Sequence, residues 1–446
     1  MNSTLRLYDS NPANPQRNAA LWCVALLFAL ATFALGCDLM AADWPQWRGP
    51  LRDGHAADQS LSSSWEKRSP ALKWESESAG VGYSSMSVVD GRMYTMGADE
   101  QDCYVICLDS HNGRLIWKTR VARAGTGSDY SRGWGVGPRS TPTIEGNQAF
   151  VLSDVGVVAA LNRENGELQW KVDLVADHGG SIPKWGYSES VLIDGQRVVV
   201  TAGGEKFMVA LNRETGELVW NSEGVDAKAH YASTMKGSFD GTDYYVTAAE
   251  IGVVGFDCET GEELFENTVT GNGTATIPTP LLIGDDRIYH TSAYGAGNAL
   301  LQLSRLDGKI LADAVYHESR KSMENHHGGV VLVDGTIYGF TRANGGMWMA
   351  QDLMSGETLW QEKIRGNKSG SIAYADGRLY CYNDGDGSVI LVEPSRQEWK
   401  PLGQIRLPRE TEIPRDRGAI WAHPVIADQT LFLRDQDLIF AFDIAG

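Results

Sequence analysis

The chain has 446 residues, 42% of them hydrophobic and 22% charged, with 50 Gly and 14 Trp. That apolar content supports a packed core and excludes wholesale disorder, while glycines without a G-X-Y period exclude a collagen-like fibre. A formal net charge of −18 argues against nucleic-acid binding, which needs a basic face for phosphates.

Arg6 and Arg17 precede an apolar run over residues 21–35, and small residues follow. The run is shorter than the ~20 residues of a spanning helix and suits the apolar core of a secretory signal. Residues 1–42 therefore read as a signal peptide, with cleavage after Ala42. A second reading takes Ala34-Leu35-Gly36-Cys37 as a lipoprotein box with Cys37 as the acylated residue, and a third leaves the segment as an uncleaved anchor. Export is expected in each case. Residues 43–69 form a lead-in segment and residues 70–446 the folded domain. Beyond Cys37 stand Cys103, Cys107, Cys258 and Cys381, without a CxxC pair. Cys103 and Cys107 lie four apart on a predicted strand, about 13 Å from each other, too far for a disulfide. They read as core residues.

An internal repeat organises the rest. Asp109, Gly113 and Trp117 recur as Asn162, Gly166 and Trp170, then as Asn212, Gly216 and Trp220. Asp257, Gly261 and Phe265 follow, then a degenerate Ser304, Gly308 and Ala312, then Asp352, Gly356 and Trp360. The glycines are spaced about 45 to 53 residues apart, with the aromatic position always four further on. A small residue precedes most copies: Cys107, Ala160, Ala210, Gly255 and Ala350, with Gln302 the exception.

A second motif is interleaved. Alternating apolar residues flank tight turns at Asp90-Gly91, Glu145-Gly146, Asp194-Gly195 and Asp240-Gly241. The series continues at Asp285-Asp286, Asp334-Gly335, Asp376-Gly377 and Asp428-Gln429. Such dipeptides between apolar runs mark hairpins. Eight turns mark eight units, each of four strands, A to D. The fold expected is all-β: an eight-bladed β-propeller of four-stranded antiparallel blades. The eighth unit ends where its strand D should begin, whereas Leu72-Lys73-Trp74-Glu75 resembles a strand D without partners. Pairing it onto the last blade closes the ring and removes an exposed edge.

The segment Ala210-Leu-Asn212-Arg-Glu-Thr215-Gly216-Glu-Leu-Val-Trp220 resembles the tryptophan-docking repeat of the pyrroloquinoline quinone (PQQ)-like propellers. The opening Trp44-Pro45-Gln46-Trp47-Arg48-Gly49-Pro50, with Arg52-Asp53-Gly54 after it, resembles the start of exported members. The family includes quinoprotein alcohol dehydrogenases and the non-enzymatic BamB-type outer-membrane assembly proteins. The resemblance makes Gly113, Gly166, Gly216, Gly261 and Gly356 structural, together with Trp117, Trp170, Trp220, Phe265 and Trp360. Each ring would lie flat between neighbouring blades, and Phe265 and Ala312 would mark weaker junctions.

Strand alternation sends the A–B and C–D turns to one face and the varied D–A connections and B–C loops to the other. A ligand funnel is expected there, from Tyr83, Arg139, Lys184, Trp185 and Tyr187 with His230, Tyr231, His327, Trp421 and His423. Aromatic, histidine and cationic side chains suit a flat anion. The B–C loops add Asp99, Glu100, Asp102, Asp154, Glu205 and Glu250, then Asp384 and Asp386. His326 and His327 would point to opposite strand faces, so one at most would face the axis and no metal is assigned. Asp384-Gly-Asp386-Gly lacks EF-hand spacing and reads as a turn. Gly133-Trp-Gly135-Val-Gly137 precedes no helix, which removes a dinucleotide reading.

These features lead to a binding or scaffolding module of the cell envelope, with a protein partner or a small ligand and no catalytic residue assigned. The only membrane contact expected is a lipid on Cys37. The resemblance leaves a second course, a periplasmic dehydrogenase using PQQ and Ca²⁺ on an alcohol or sugar. That course lacks the adjacent cysteine pair of soluble alcohol-oxidising members, and its nearest carboxylates are Glu189, Glu324 and Asp129.

Overall fold

The computed structural model describes residues 42–319, 322–415 and 417–446. The signal-peptide and Cys37 readings fall outside them, apart from Ala42. Eight four-stranded antiparallel sheets account for all the strands, and among the described residues the one α-helix is the short Leu174–His178. Blades 1 to 4 occupy residues 87–123, 143–173, 192–221 and 235–267. Blades 5 to 7 occupy 281–318, 325–362 and 370–406, and blade 8 combines 425–443 with Ala71–Ser76.

Blade 3 shows why these residues form these strands. Its middle strand Arg197–Thr201 carries Val198, Val199 and Val200, all fully buried, because both sheet faces pack against neighbouring blades. A strand buried on both faces reads as a continuous apolar run. The outer strand Leu218–Asn221 exposes Leu218 and Val219 and buries Trp220.

Each aromatic of the repeat sits opposite a small residue on strand C. Trp117 pairs with Cys107, Trp170 with Ala160, Trp220 with Ala210, Phe265 with Gly255 and Trp360 with Ala350. A bulge follows immediately in all five, and bulges increase local twist and re-aim side chains. The indole N–H groups then reach the next blade. Trp117 donates to Arg163 O (3.1 Å), Trp170 to Arg213 O (2.8 Å), Trp220 to Cys258 O (3.2 Å) and Trp360 to Ser395 O (2.7 Å). Gly216 shows the steric reason for glycine: φ is +75°, and a Cβ would stand 2.7 Å from the Trp170 ring.

Ring closure follows the same geometry. Ala71–Ser76 pairs antiparallel with Leu438–Asp443, placing Trp74 opposite Ala441. The Trp74 indole donates to Ser110 O in blade 1 at 3.0 Å. Buried Arg434 ties blade 8 to blade 1 through Ser84 O, Thr95 Oγ1, Met96 O and Gly80 O.

Blade 5 departs from the sequence expectation. Its C–D connection is a two-residue turn at Asp307-Gly308, and its bulge falls at Leu300/Leu301. Ala312 therefore pairs with Leu303, and Tyr316 takes the junction position: it packs against Gly356 and its hydroxyl donates to Leu353 O at 3.0 Å. Phe265 does not reach Gly308 and packs within the blade 4–5 core. Blade 7 lacks an aromatic on strand D, and Trp65 of the lead-in packs against Gly403 there.

The lead-in crosses the A–B turn face of the ring. Trp44 exchanges backbone bonds with Val88, Tyr374 accepts from Ala56 and donates to Gly54, and Ser62 donates to Ile444. Two buried arginines anchor it. Arg48 donates to Gly328 O and Val330 O in blade 6, and Arg52 to Ser190 O and Val191 O beside blade 3.

Candidate functional site

A cavity of about 520 Å³ opens on the face of the D–A connections and B–C loops. His327, His423 and Trp47 line it together, and because Trp47 belongs to the lead-in on the opposite face they mark its floor. His327 and His423 are 9% and 6% exposed. Trp47 reaches this point from the lead-in; its indole N–H donates to Thr279 Oγ1 at 3.1 Å and its ring lies 4.4 Å from His423. The His423 Nε2–H faces the His327 carbonyl oxygen at 3.0 Å. Burial and the nearby Arg48 push the His423 imidazole down to about 3, and burial with the two neighbouring imidazoles lowers His327 well below the ordinary range. Both are neutral at physiological pH.

Aromatic walls rise above this floor. Tyr83 and Trp421 lie 5.4 Å apart, Trp134 stacks on Trp421 at 6.4 Å, and Trp185 meets Tyr231 at 5.8 Å. The rim is cationic: Lys184, Arg342, Lys368 and Arg417 are exposed and Arg139 is half-buried. Lys184 stands 4.8 Å from the Trp185 ring and Arg342 4.7 Å from that of Tyr294. Arg139 donates to Gly135 O and Gly137 O. None of these five cations is in an ion pair among the described residues. Among the described residues Asp384 is the one lining carboxylate, and it accepts from the Lys368 backbone N–H at 3.0 Å. Such an arrangement can stack a ring, meet its anionic groups at the rim, and hydrogen-bond whatever reaches the floor.

A family model described as outer membrane protein assembly factor BamB matches residues 101–362, more than half of the chain. The chain belongs to that family. BamB from Moraxella catarrhalis superposes with a TM-score of 0.56 at 16% identity, covering 84% of this chain and 99% of that one. Quinohemoprotein alcohol dehydrogenase from Comamonas testosteroni gives 0.62 at 13%, covering 91% and 81%. A europium-containing methanol dehydrogenase gives 0.62 at 13%, covering 88% and 89%. At such identities the likeness concerns the fold. No curated protein matches the sequence significantly.

In this BamB-family propeller the cavity gathers Tyr83, Arg139, Lys184, Trp185 and Tyr231 with His327, Trp421 and His423. Tyr187 and His230 do not line it. The Tyr187 ring is buried in the blade 2–3 core and its hydroxyl donates to Ala202 O at 2.8 Å. His230 accepts from the Thr276 backbone N–H and is pushed down to about 4 by burial.

The alternation argument for His326 and His327 fails, since both line the cavity. The register between Asn325–Val333 and Thr336–Thr341 shifts from the Asn325 pair directly to the Val330 pair, so the intervening residues leave the pleat. The Asn325 amide bonds Gly329 O and Phe340 O, and Arg48 bonds Gly328 O and Val330 O, which holds the bulge open.

The carboxylates nearest the funnel by sequence point elsewhere. Glu189 is buried and accepts from Thr201 and Thr234 hydroxyls, with burial raising its pKa. Glu324 accepts from the Gly295 N–H, and Asp129 pairs with Arg123. In the B–C loops, Asp99 binds turn N–H groups, Asp102 pairs with Arg120, Asp154 takes the Tyr130 hydroxyl and Glu250 pairs with Lys228. Glu100 and Glu205 do not line the cavity, and Asp386 closes its own turn on Ser388. The sequence reasoning missed Trp134, Tyr294, Arg342, Lys368 and Arg417. Trp134 lay in plain view within the Gly133–Gly137 run, and Lys368 and Arg417 stand in connections of the type already selected.

Proposed function

We propose that this protein is a binding module of the cell envelope whose axial cavity takes a flat, polyanionic ring compound. The charge of the lining carries the reading: among the described residues, five cations against one carboxylate, in a chain of net charge −18. A cleft of one sign with low-dielectric walls concentrates the opposite charge, and indoles supply the stacking surface. Placement in the envelope, with a protein partner for the propeller as a whole, rests on membership of the BamB family and on the leader-like residues 21–35.

The second reading, a PQQ-dependent dehydrogenase, draws on the same aromatic and cationic lining, which fits the rings and carboxylates of that quinone. The lining does not fit its metal. Among the described residues no group of three or more His, Cys, Asp or Glu side chains is placed to hold a metal ion, and Glu189, Glu324 and Asp129 are bonded elsewhere.

Titration with PQQ, followed by tryptophan fluorescence with and without Ca²⁺, tests both. The proposal expects saturable binding at micromolar concentrations, unchanged by a chelator, and no alcohol-dependent dye reduction. Absence of saturable binding overturns it. Ca²⁺-dependent binding with dye-linked alcohol oxidation establishes the dehydrogenase in its place.

A further inference from the structure

We infer that the cavity orients its ligand: anionic groups remain at the cationic rim, while an uncharged hydroxyl or ring N–H enters first and is hydrogen-bonded by His327 and His423. This rests on the cavity being an anion site and adds the chemistry of the ligand's leading end.

The floor nitrogens carry the argument. His423 uses its Nε2–H on the His327 carbonyl oxygen, which leaves Nδ1 as a lone-pair acceptor; that atom is buried without a partner among the described residues. Among the described residues neither ring nitrogen of His327 has a partner, and its ring is held between Trp421 at 5.6 Å and His326 at 5.3 Å. A neutral imidazole offers one donor and one acceptor, so the floor presents two acceptors and one donor. Buried polar atoms are almost always satisfied, and leaving them unmet is costly. Three on two rings whose centroids lie 6.4 Å apart call for a group that both donates and accepts.

A carboxylate does not meet that description, since it accepts only. Among the described residues no cation stands free beside these two rings. The Arg48 guanidinium below is engaged by Gly328 O, Val330 O and Asp53 O, and the Trp47 indole N–H by Thr279. Burial keeps the two imidazoles from supplying the charge themselves. The free cations stand at the rim, exposed, on the D–A connections and on the B–C loop of blade 6.

A matched set of ring acids separates the two ends: 6-hydroxy-2-naphthoate, 6-methoxy-2-naphthoate, 2-naphthoate and 2-naphthol, titrated calorimetrically into the full chain. The hydroxynaphthoate is expected to bind about tenfold more tightly than 2-naphthoate, the value of a buried hydrogen bond. The methoxy compound loses that gain and 2-naphthol loses the rim. In His423→Phe and His327→Phe the tenfold preference for the hydroxy over the unsubstituted acid collapses. Should one variant fail to fold, the other and the wild-type series carry the comparison. Equal affinity for the hydroxy and unsubstituted acids, or a preference surviving both substitutions, overturns this inference and leaves the anion site standing. Failure of every naphthoate to bind overturns both.

Discussion

Replacing Trp74 with Ala removes the ring that joins the last blade to the first. Trp74 is 8% exposed, its indole donates to Ser110 O at 3.0 Å, and a Cβ on Gly113 would lie 2.5 Å from its ring. Truncating a buried Trp costs about 3–5 kcal/mol, and the lost N–H bond, about 1 kcal/mol, falls within that range. A loss near 4 kcal/mol is a large share of the ~5–15 kcal/mol that holds a typical domain folded. Leu72, on the same strand, is 41% exposed, and Leu72→Ala should cost less than about 1 kcal/mol. Urea unfolding followed by far-UV circular dichroism measures both, and limited proteolysis reports whether residues 71–76 detach first. Equal midpoints for the two variants would refute the reasoning, as would a cost below about 1 kcal/mol for Trp74→Ala.

Two further expectations concern single side chains. Tyr316→Phe deletes the bond to Leu353 O and should destabilise by about 1 kcal/mol, with Tyr316→Ala costing about 3 kcal/mol or more through the lost ring; urea midpoints measure both. His290 is fully enclosed by Thr270 and the Pro278 carbonyl, and burial pushes it from 6.5 down to about 4. The unfolded chain therefore binds the extra proton first, so this contribution is complete above pH 6.5 and is lost as pH falls towards 4. At pH 5 the loss is about 2 kcal/mol, and unfolding free energies of wild type and His290→Gln should converge by that amount between pH 7 and pH 5.

The architecture was legible because each blade junction is written locally: a turn glycine, an aromatic four residues later, and a small partner such as Ala210 opposite Trp220. Even the closing strand could be read, since Trp74 was an outer-strand residue with no blade of its own. Blade 5 was misread because the slot follows the bulge rather than the glycine, and its two-residue turn moved the bulge to Leu300. His326 was misjudged because strand alternation holds only inside the pleat, which Gly328 and Gly329 break. The D–A connections were correctly placed around the cavity, yet Tyr187 and His230 turn into the blades. Irregular connections have no period from which direction follows. Trp47 was invisible as a site residue for a different reason: it enters the cavity from the opposite face, on a lead-in whose path is set by Arg48 and Arg52.

The most direct test is the affinity for PQQ of the wild-type protein against Arg342→Glu and Lys184→Glu, measured at one ionic strength. Both residues are exposed at the rim and neither is in an ion pair among the described residues, so the fold should be untouched. The account predicts saturable binding by the wild type and weakening of about tenfold for each reversal, as expected when an attractive charge contact becomes a repulsive one. Affinity unchanged by both reversals would contradict it, because the cations would then have no part in the site.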